Sequence, residues 1–334
     1  MIELLVATCV LLLVMGVVMT ALRQSMQQQQ TIWNRTEMHS GVRGATELMQ
    51  QEVGQAGRVG VPLDIVLQGS TPNPAPTNCD PAHPDVSASV PIAVSSTKGL
   101  WATAGTAPAS YAVISTLDGD NWEETPLWQV ITNPDGVTGT ISACFSKVHA
   151  AGTKVQVLGT FGNGIIPPAP GVVAGFAGIP NGSTATVLKM FGDINGDGNM
   201  VYVEYTCDTV AGKLYRTSMA WDSTTKPKVS DSLVLLNNVQ PNPGGTACFT
   251  YQVTSPIIVQ GQPLSFVLDV AITLTVQTQQ VDPVTKQFQT ETKALLNVSP
   301  RNVFNAWELA GAGYTDRIQS TPATITALLG MIPS

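Results

Sequence analysis

The residues best placed to do chemistry lie in one twelve-residue run, Asp193-Ile194-Asn195-Gly196-Asp197-Gly198-Asn199-Met200-Val201-Tyr202-Val203-Glu204. It fits the spacing D-x-[DN]-x-[DN]-G-x5-E, which presents oxygens from loop positions 1, 3, 5, 7 and 12 to one Ca2+ ion. In this reading Asp193, Asn195 and Asp197 supply side-chain oxygens, Asn199 its backbone carbonyl and Glu204 a bidentate carboxylate, while Gly198 permits the sharp turn. The same residues also suit an Asn-Gly/Asp-Gly hairpin turn, in which they simply tolerate positive φ. A strand pattern follows and no helical pattern precedes, so the expectation is a single calcium site grafted onto a sheet and stiffening it. A second acidic run, Asp118-Gly119-Asp120-Asn121-Trp122-Glu123-Glu124, reads as a solvated loop or as a further weak metal or partner site.

Four cysteines, Cys79, Cys144, Cys207 and Cys248, lie outside the apolar start of the chain, and Cys9 lies inside it as a small apolar residue. In an oxidising compartment the four pair. Cys207 with Cys248 and Cys79 with Cys144 are favoured, because these pairs tie neighbouring strands and pin a Pro-rich loop. Zinc is disfavoured: there is no CxxC spacing, and His39, His83 and His149 are scattered.

The sequence has no G-x-S-x-G elbow, phosphate-binding loop or H-E-x-x-H, and the chain is not expected to be an enzyme. Only 12% of residues are charged, the net charge is −7, and there is no run of Lys or Arg. Nucleic acid is therefore excluded as an expected partner, because its usual electrostatic footprint is lacking.

The elements that must carry these residues divide into two kinds. From Met1 to Leu22 the chain is almost wholly apolar, with Glu3 as its one charge. At about 1.5 Å per residue such a helix crosses a hydrocarbon layer of roughly 30 Å. A carboxylate inside it costs on the order of 2.5–3.5 kcal/mol unless it finds a partner. A cation from another copy of the same helix would convert that cost into register between subunits. Beyond it, Met26, Ile32, Trp33, Val42, Ala45, Leu48, Met49, Val53 and Ala56 keep helical spacing among polar residues, which predicts one helix over residues 1–57 whose second half lies on a globular head. Gly54, Gly57, Gly60 and Pro62 end it.

Residues 58–334 read as short β-type runs divided by Pro and Gly, the longest from Leu264 to Thr278, with a Pro-rich surface loop over residues 68–91. The expected fold class is α+β: a long N-terminal helix, apolar in its first half and amphipathic in its second, packed on a β-rich antiparallel head.

The run Ile2-Glu3-Leu4-Leu5-Val6-Ala7 resembles the N-terminal signature of type IV pilins, and Gly44 to Gly57 resembles the helix end of PilW-type minor pilins. The order Val203-Glu204-Tyr205, Leu214-Tyr215-Arg216, Leu235-Leu236-Asn237-Asn238-Val239 and Phe249-Thr250-Tyr251 is also similar to that family. So is Val298-Ser299-Pro300-Arg301-Asn302-Val303, which is similar to its Arg-Asn closing strand. The chain departs from the family pattern before Ile2, where a leader ending in Gly and an aromatic first residue would stand. Either the sequence begins just inside a mature chain or Met1 is its true first residue.

The resemblance implies a structural subunit of an extracellular pilus-like filament. Glu3 would neutralise the terminal amine of a neighbouring subunit, with Met1 at that terminus. The partners would be further copies or other pilins, and the bacterial inner membrane would hold the chain before assembly at the cell surface. A type II secretion pseudopilin and a membrane-anchored adhesin are the alternative readings.

Overall fold

A computed structural model describes residues 2–60, 65–79, 88–102, 111–157, 159–259 and 262–331. Met1 lies outside the described residues, as do Pro62, Pro81, Pro84 and His83. One helix, α1 (Ile2–Gln55), is 54 residues long, roughly 80 Å at the α-helical rise. Its inner stripe is Val42, Ala45, Met49 and Val53, continued by Ala56 just past the helix. These residues recur every three or four positions and so share one face. Met26, Ile32 and Trp33, expected on the same stripe, are instead exposed, because cover by the head begins only near Asn34.

The helix stops at Gly57, whose φ of 82° places it in the left-handed region. The Gly57 N–H donates to the Phe191 carbonyl at 2.9 Å, and its own carbonyl accepts the Phe161 N–H at 2.9 Å. A Cβ on Gly164 would stand 2.1 Å from the Gly57 Cα, so this crossing admits no side chain. Asn302 Nδ2 donates to the carbonyls of Gln55 and Ala56 at 3.1 and 3.3 Å, closing the helix end from another part of the chain.

The head is built from strands. β1 (Ile65–Val66), β2 (Val90–Val94), β3 (Val113–Leu117), β4 (Glu124–Thr132), β5 (Gly139–Ala143) and β6 (Lys154–Val157) form an antiparallel sheet in the order β1-β6-β3-β4-β5-β2. After β7 (Thr160–Phe161) come β8 (Val187–Gly192), β9 (Val201–Asp208), β10 (Lys213–Ala220) and β11 (Val234–Asn237), an antiparallel sheet in the order β11-β10-β9-β8. Next are β12 (Val239–Gln240), β13 (Phe249–Val253), β14 (Ile257–Val259), β15 (Gln262–Leu264), β16 (Val267–Gln277) and β17 (Thr290–Val298). Of these, β12, β13 and β17 pair antiparallel with β16, and β14 pairs with β15. Two short helices, α2 (Arg301–Gly311) and α3 (Ala323–Gly330), flank β18 (Ile318–Gln319), which pairs in parallel with β7.

Three apolar clusters follow from this arrangement. The first joins the α1 stripe to Leu188, Val203, Tyr205, Val270 and Ile272, so the β8–β11 and β12–β17 sheets together clasp the helix. The second fills the space between the six-stranded sheet, the opposite face of β8–β9 and α3, with Phe161, Phe191, Tyr202 and Ile325 at its centre. The third seats α2 through Val303 and Ala306 on Phe266 and Ile318.

Several sequence expectations are corrected here. Arg301-Asn302 opens α2 rather than closing a sheet, since Pro300 suits the start of a helix and its carbonyl accepts the Phe304 N–H. The run from Leu264 to Thr278 is two strands, because Phe266 turns inward to the third cluster between them. Strand β2 begins at Val90, inside the expected loop, and Pro91 is accommodated because β2 is the sheet's edge.

Candidate functional site

Two regions carry the residues singled out by sequence: the free half of α1, and the tip of the β8–β9 hairpin with what packs around it. Every residue from 2 to 30 is exposed, including Ile2 at 79%, Leu12 at 71% and Leu13 at 72%. The apolar character goes all the way round the helix. Thr8 and Thr20 do not interrupt it, because their hydroxyls donate back to the carbonyls of Leu4 and Gly16 at 3.0 and 2.8 Å. Leu4 to Leu22 is therefore a rod with almost no polar group projecting from it. It is long and apolar enough to cross a membrane, which suits a membrane anchor or a signal sequence. Glu3 is exposed at the end of this rod.

The clasped half is fixed by a charge pair that sequence reasoning missed. Glu52 is 5% exposed and accepts hydrogen bonds from Arg216 Nη2 at 2.5 Å and Nε at 3.1 Å, and from the Tyr205 hydroxyl. Burial works against the Arg216 charge, but the hydrogen bond and charge of Glu52 outweigh it and hold the guanidinium above its ordinary pKa. Burial, reinforced by the negative Glu52, pushes the Tyr205 phenol well above its usual range. A signal was available: Glu52 sits three residues after Met49 and four before Ala56, so the apolar stripe itself places this carboxylate inward.

Asp193 to Asn199 form the turn between β8 and β9. Gly196 and Gly198 take φ values of 71° and 79°, and the Asp193 carboxylate accepts the Asp197 N–H at 3.0 Å. Asp193 is 2% exposed, lies 3.6 Å from Arg58 Nε and donates its own N–H to the Arg58 carbonyl at 2.8 Å. The hairpin tip thus packs directly on the segment that leaves α1, where a Cβ on Gly60 would meet the Asp193 Cβ at 2.9 Å. Asn199 donates its N–H to Asp197 Oδ1 at 2.9 Å. That contact, ahead of the Asn199 side-chain hydrogen bond, holds the Asp197 carboxyl below its usual range.

Glu204 is not part of this tip. Loop positions 9 to 12 are extended strand in β9, and Glu204 pairs with Lys189, three ladder steps or roughly 10 Å from the turn. Its Oε1 accepts Lys226 Nζ and the Tyr202 hydroxyl, each at 2.6 Å, with Lys189 Nζ at 3.7 Å. The five expected oxygens are therefore not brought together, since Glu204 lies along the strand with Lys226 and Tyr202. The twelve-residue spacing gathers its last ligand only where the chain curls back, which an extended strand does not do. Strand alternation explains the rest: Val203, Tyr205 and Cys207 face α1, while Tyr202 and Glu204 face the opposite side.

The second acidic run is not a purely solvated loop. Asp118 Oδ2 and Glu123 Oε1 lie 2.8 Å from the two ring nitrogens of His149, which is completely buried. Glu123 also accepts the Ser146 N–H and hydroxyl at 2.8 and 2.5 Å. The hydrogen bond from His149, followed by that from Asn121, holds the Asp118 carboxyl below the usual carboxylate range. A buried imidazole between two carboxylates ties the 118–124 turn to the 144–149 segment.

Two disulfides complete the head. Cys207–Cys248 links β9 to the residue before β13, and so joins the two sheets that clasp α1. Cys79–Cys144 pins the Pro-rich stretch to the residue after β5. Both suit extracellular exposure. Cys9 is free on the rod.

No family model, curated protein or solved structure matches the chain.

Proposed function

We propose that the chain is a structural subunit of a type IV pilus-like extracellular filament, assembled through the free half of α1. The observation that carries this reading is the contrast within one helix. The half beyond Asn34 has its partner in the head, whereas every residue from 2 to 30 is exposed. An apolar rod of this kind is stable only against lipid or other apolar helices. Moving from the membrane into a bundle of like helices keeps its surface covered throughout. Glu3, costly in an apolar setting, then pairs with a cation on a neighbouring helix and sets register. The pilin resemblance identifies that cation as a terminal amine.

The test is electron microscopy of surface material sheared from cells making the full chain, beside Glu3→Ala. Fibres from the wild type and none from the variant, at equal protein level and unchanged melting temperature, are expected. A wild-type chain recovered only as membrane-held single particles would overturn the reading, and so would fibres that form equally well without Glu3. Either result would favour the plain anchor.

A further inference from the structure

Apart from the rod, one cleft in the head combines features that no assembly role requires. It has a volume of about 690 Å³ and lies between the six-stranded sheet, the β8–β9 hairpin tip and the start of α3. Its size is that of a small-molecule site, typically about 300–1,000 Å³. Trp101 and Trp221 line it edge-to-face, with ring centroids 6.1 Å apart. Trp221 is only partly covered, and so offers ring surface to the cleft. Trp101 is 6% exposed and is braced from behind by Phe161 at 5.0 Å, which in turn rests on Phe191 at 4.9 Å. The aromatic wall is therefore rigid before anything binds.

At the rim stand Asn199, Lys98 and Asp222, which offer an amide, one cation and one anion. The opposed charges favour a neutral occupant over an ionic one.

The geometry points to a saccharide site: a neutral sugar ring lies against Trp221, and its hydroxyls take up the hydrogen-bonding capacity of Asn199, Asp222 and Lys98 at the rim. A sugar ring pairs apolar C–H faces with hydroxyls that both donate and accept. That is the mixture this cleft presents. An apolar ligand would strip water from Asn199, Lys98 and Asp222 without replacing its hydrogen bonds, and an anion would meet Asp222. The site is independent of the filament proposal, since none of its residues lies on α1.

The experiment is calorimetric titration of the full chain in detergent with three neutral probes: lactose, maltotriose and N,N′,N″-triacetylchitotriose. Saturable binding of at least one probe is expected, with a Kd in the micromolar to millimolar range. Trp221→Ala should weaken it about tenfold or more, while Trp221→Phe, which keeps a ring, should retain most of it. Trp221→Phe also serves as the folding control, read by an unchanged melting temperature. The proposal is overturned if none of the three probes binds at about 20 mM, a weaker affinity than any specific site of this size. It is equally overturned if Trp221→Ala binds as the wild type does, or if a Pro-rich decapeptide binds at this wall and the sugars do not.

Discussion

From residue 2 to residue 30, α1 exposes every side chain, whereas beyond Asn34 it sends Val42, Ala45, Met49, Glu52 and Val53 into the head. Both halves are helical, and by residue count the free half is the more apolar. What separates them is arrangement. The clasped half confines its apolar residues to one stripe and places a carboxylate within it, so it can be satisfied by two sheets and an arginine. The free half is apolar on all sides, and no single head could cover it. Hydrophobicity therefore says that a surface will be covered, and its angular distribution says by how many neighbours.

The largest expected effect on the clasped half comes from its charge pair. Glu52→Gln leaves Arg216 partly buried without its counter-charge and should cost about 3 kcal/mol or more in urea unfolding of the head, whereas the exposed Glu47 changed to Gln should cost almost nothing. Next, Met49→Ala opens a cavity in the helix-facing core and should cost about 2–5 kcal/mol. Leu12→Ala on the free rod should leave the head's unfolding unchanged. Equal effects at Met49 and Leu12 would break the comparison outright.

A smaller, pH-dependent effect sharpens it. Because the Asp118 carboxyl is held below its ordinary value, its contribution to stability is present above about pH 4 and is lost as pH falls through the lowered value. Asp118→Asn should flatten the decline in stability between about pH 4 and pH 2 while leaving the fraction of α1 that is helical by circular dichroism untouched. The smallest effect is a gain. Gly44 is exposed mid-helix with no atom within 4 Å of an added Cβ, and so Gly44→Ala should stabilise the clasped half by up to about 1 kcal/mol in the same urea measurement.

Much of this fold was legible in the sequence, and the failures have physical causes. The helix, its stopping point near Gly57 and most longer strands follow from periodicity and from glycine. Met26, Ile32 and Trp33 were misplaced because spacing fixes a face without saying where along the axis the cover begins. The helix at Arg301 was hidden by a resemblance to a strand, although Pro300 marked its start. Glu204 stands away from the turn because a sequence motif counts residues, while ligands are gathered by curvature, and Val201 to Glu204 are straight. His149 escaped notice since its two carboxylates come from a turn more than twenty residues earlier, brought near only by sheet pairing.

The way α1 ends has a mechanical consequence. No hinge interrupts the helix between the rod and Gln55, so tension applied at Glu3 travels along an unbroken ladder of hydrogen bonds into the joint. There it meets the Met49 and Val53 packing, the Glu52–Arg216 pair and the Asn302 amide side by side. Pulled along its axis, the joint must shear all of these at once instead of peeling them apart one after another, so the load is shared across the whole junction of helix and head.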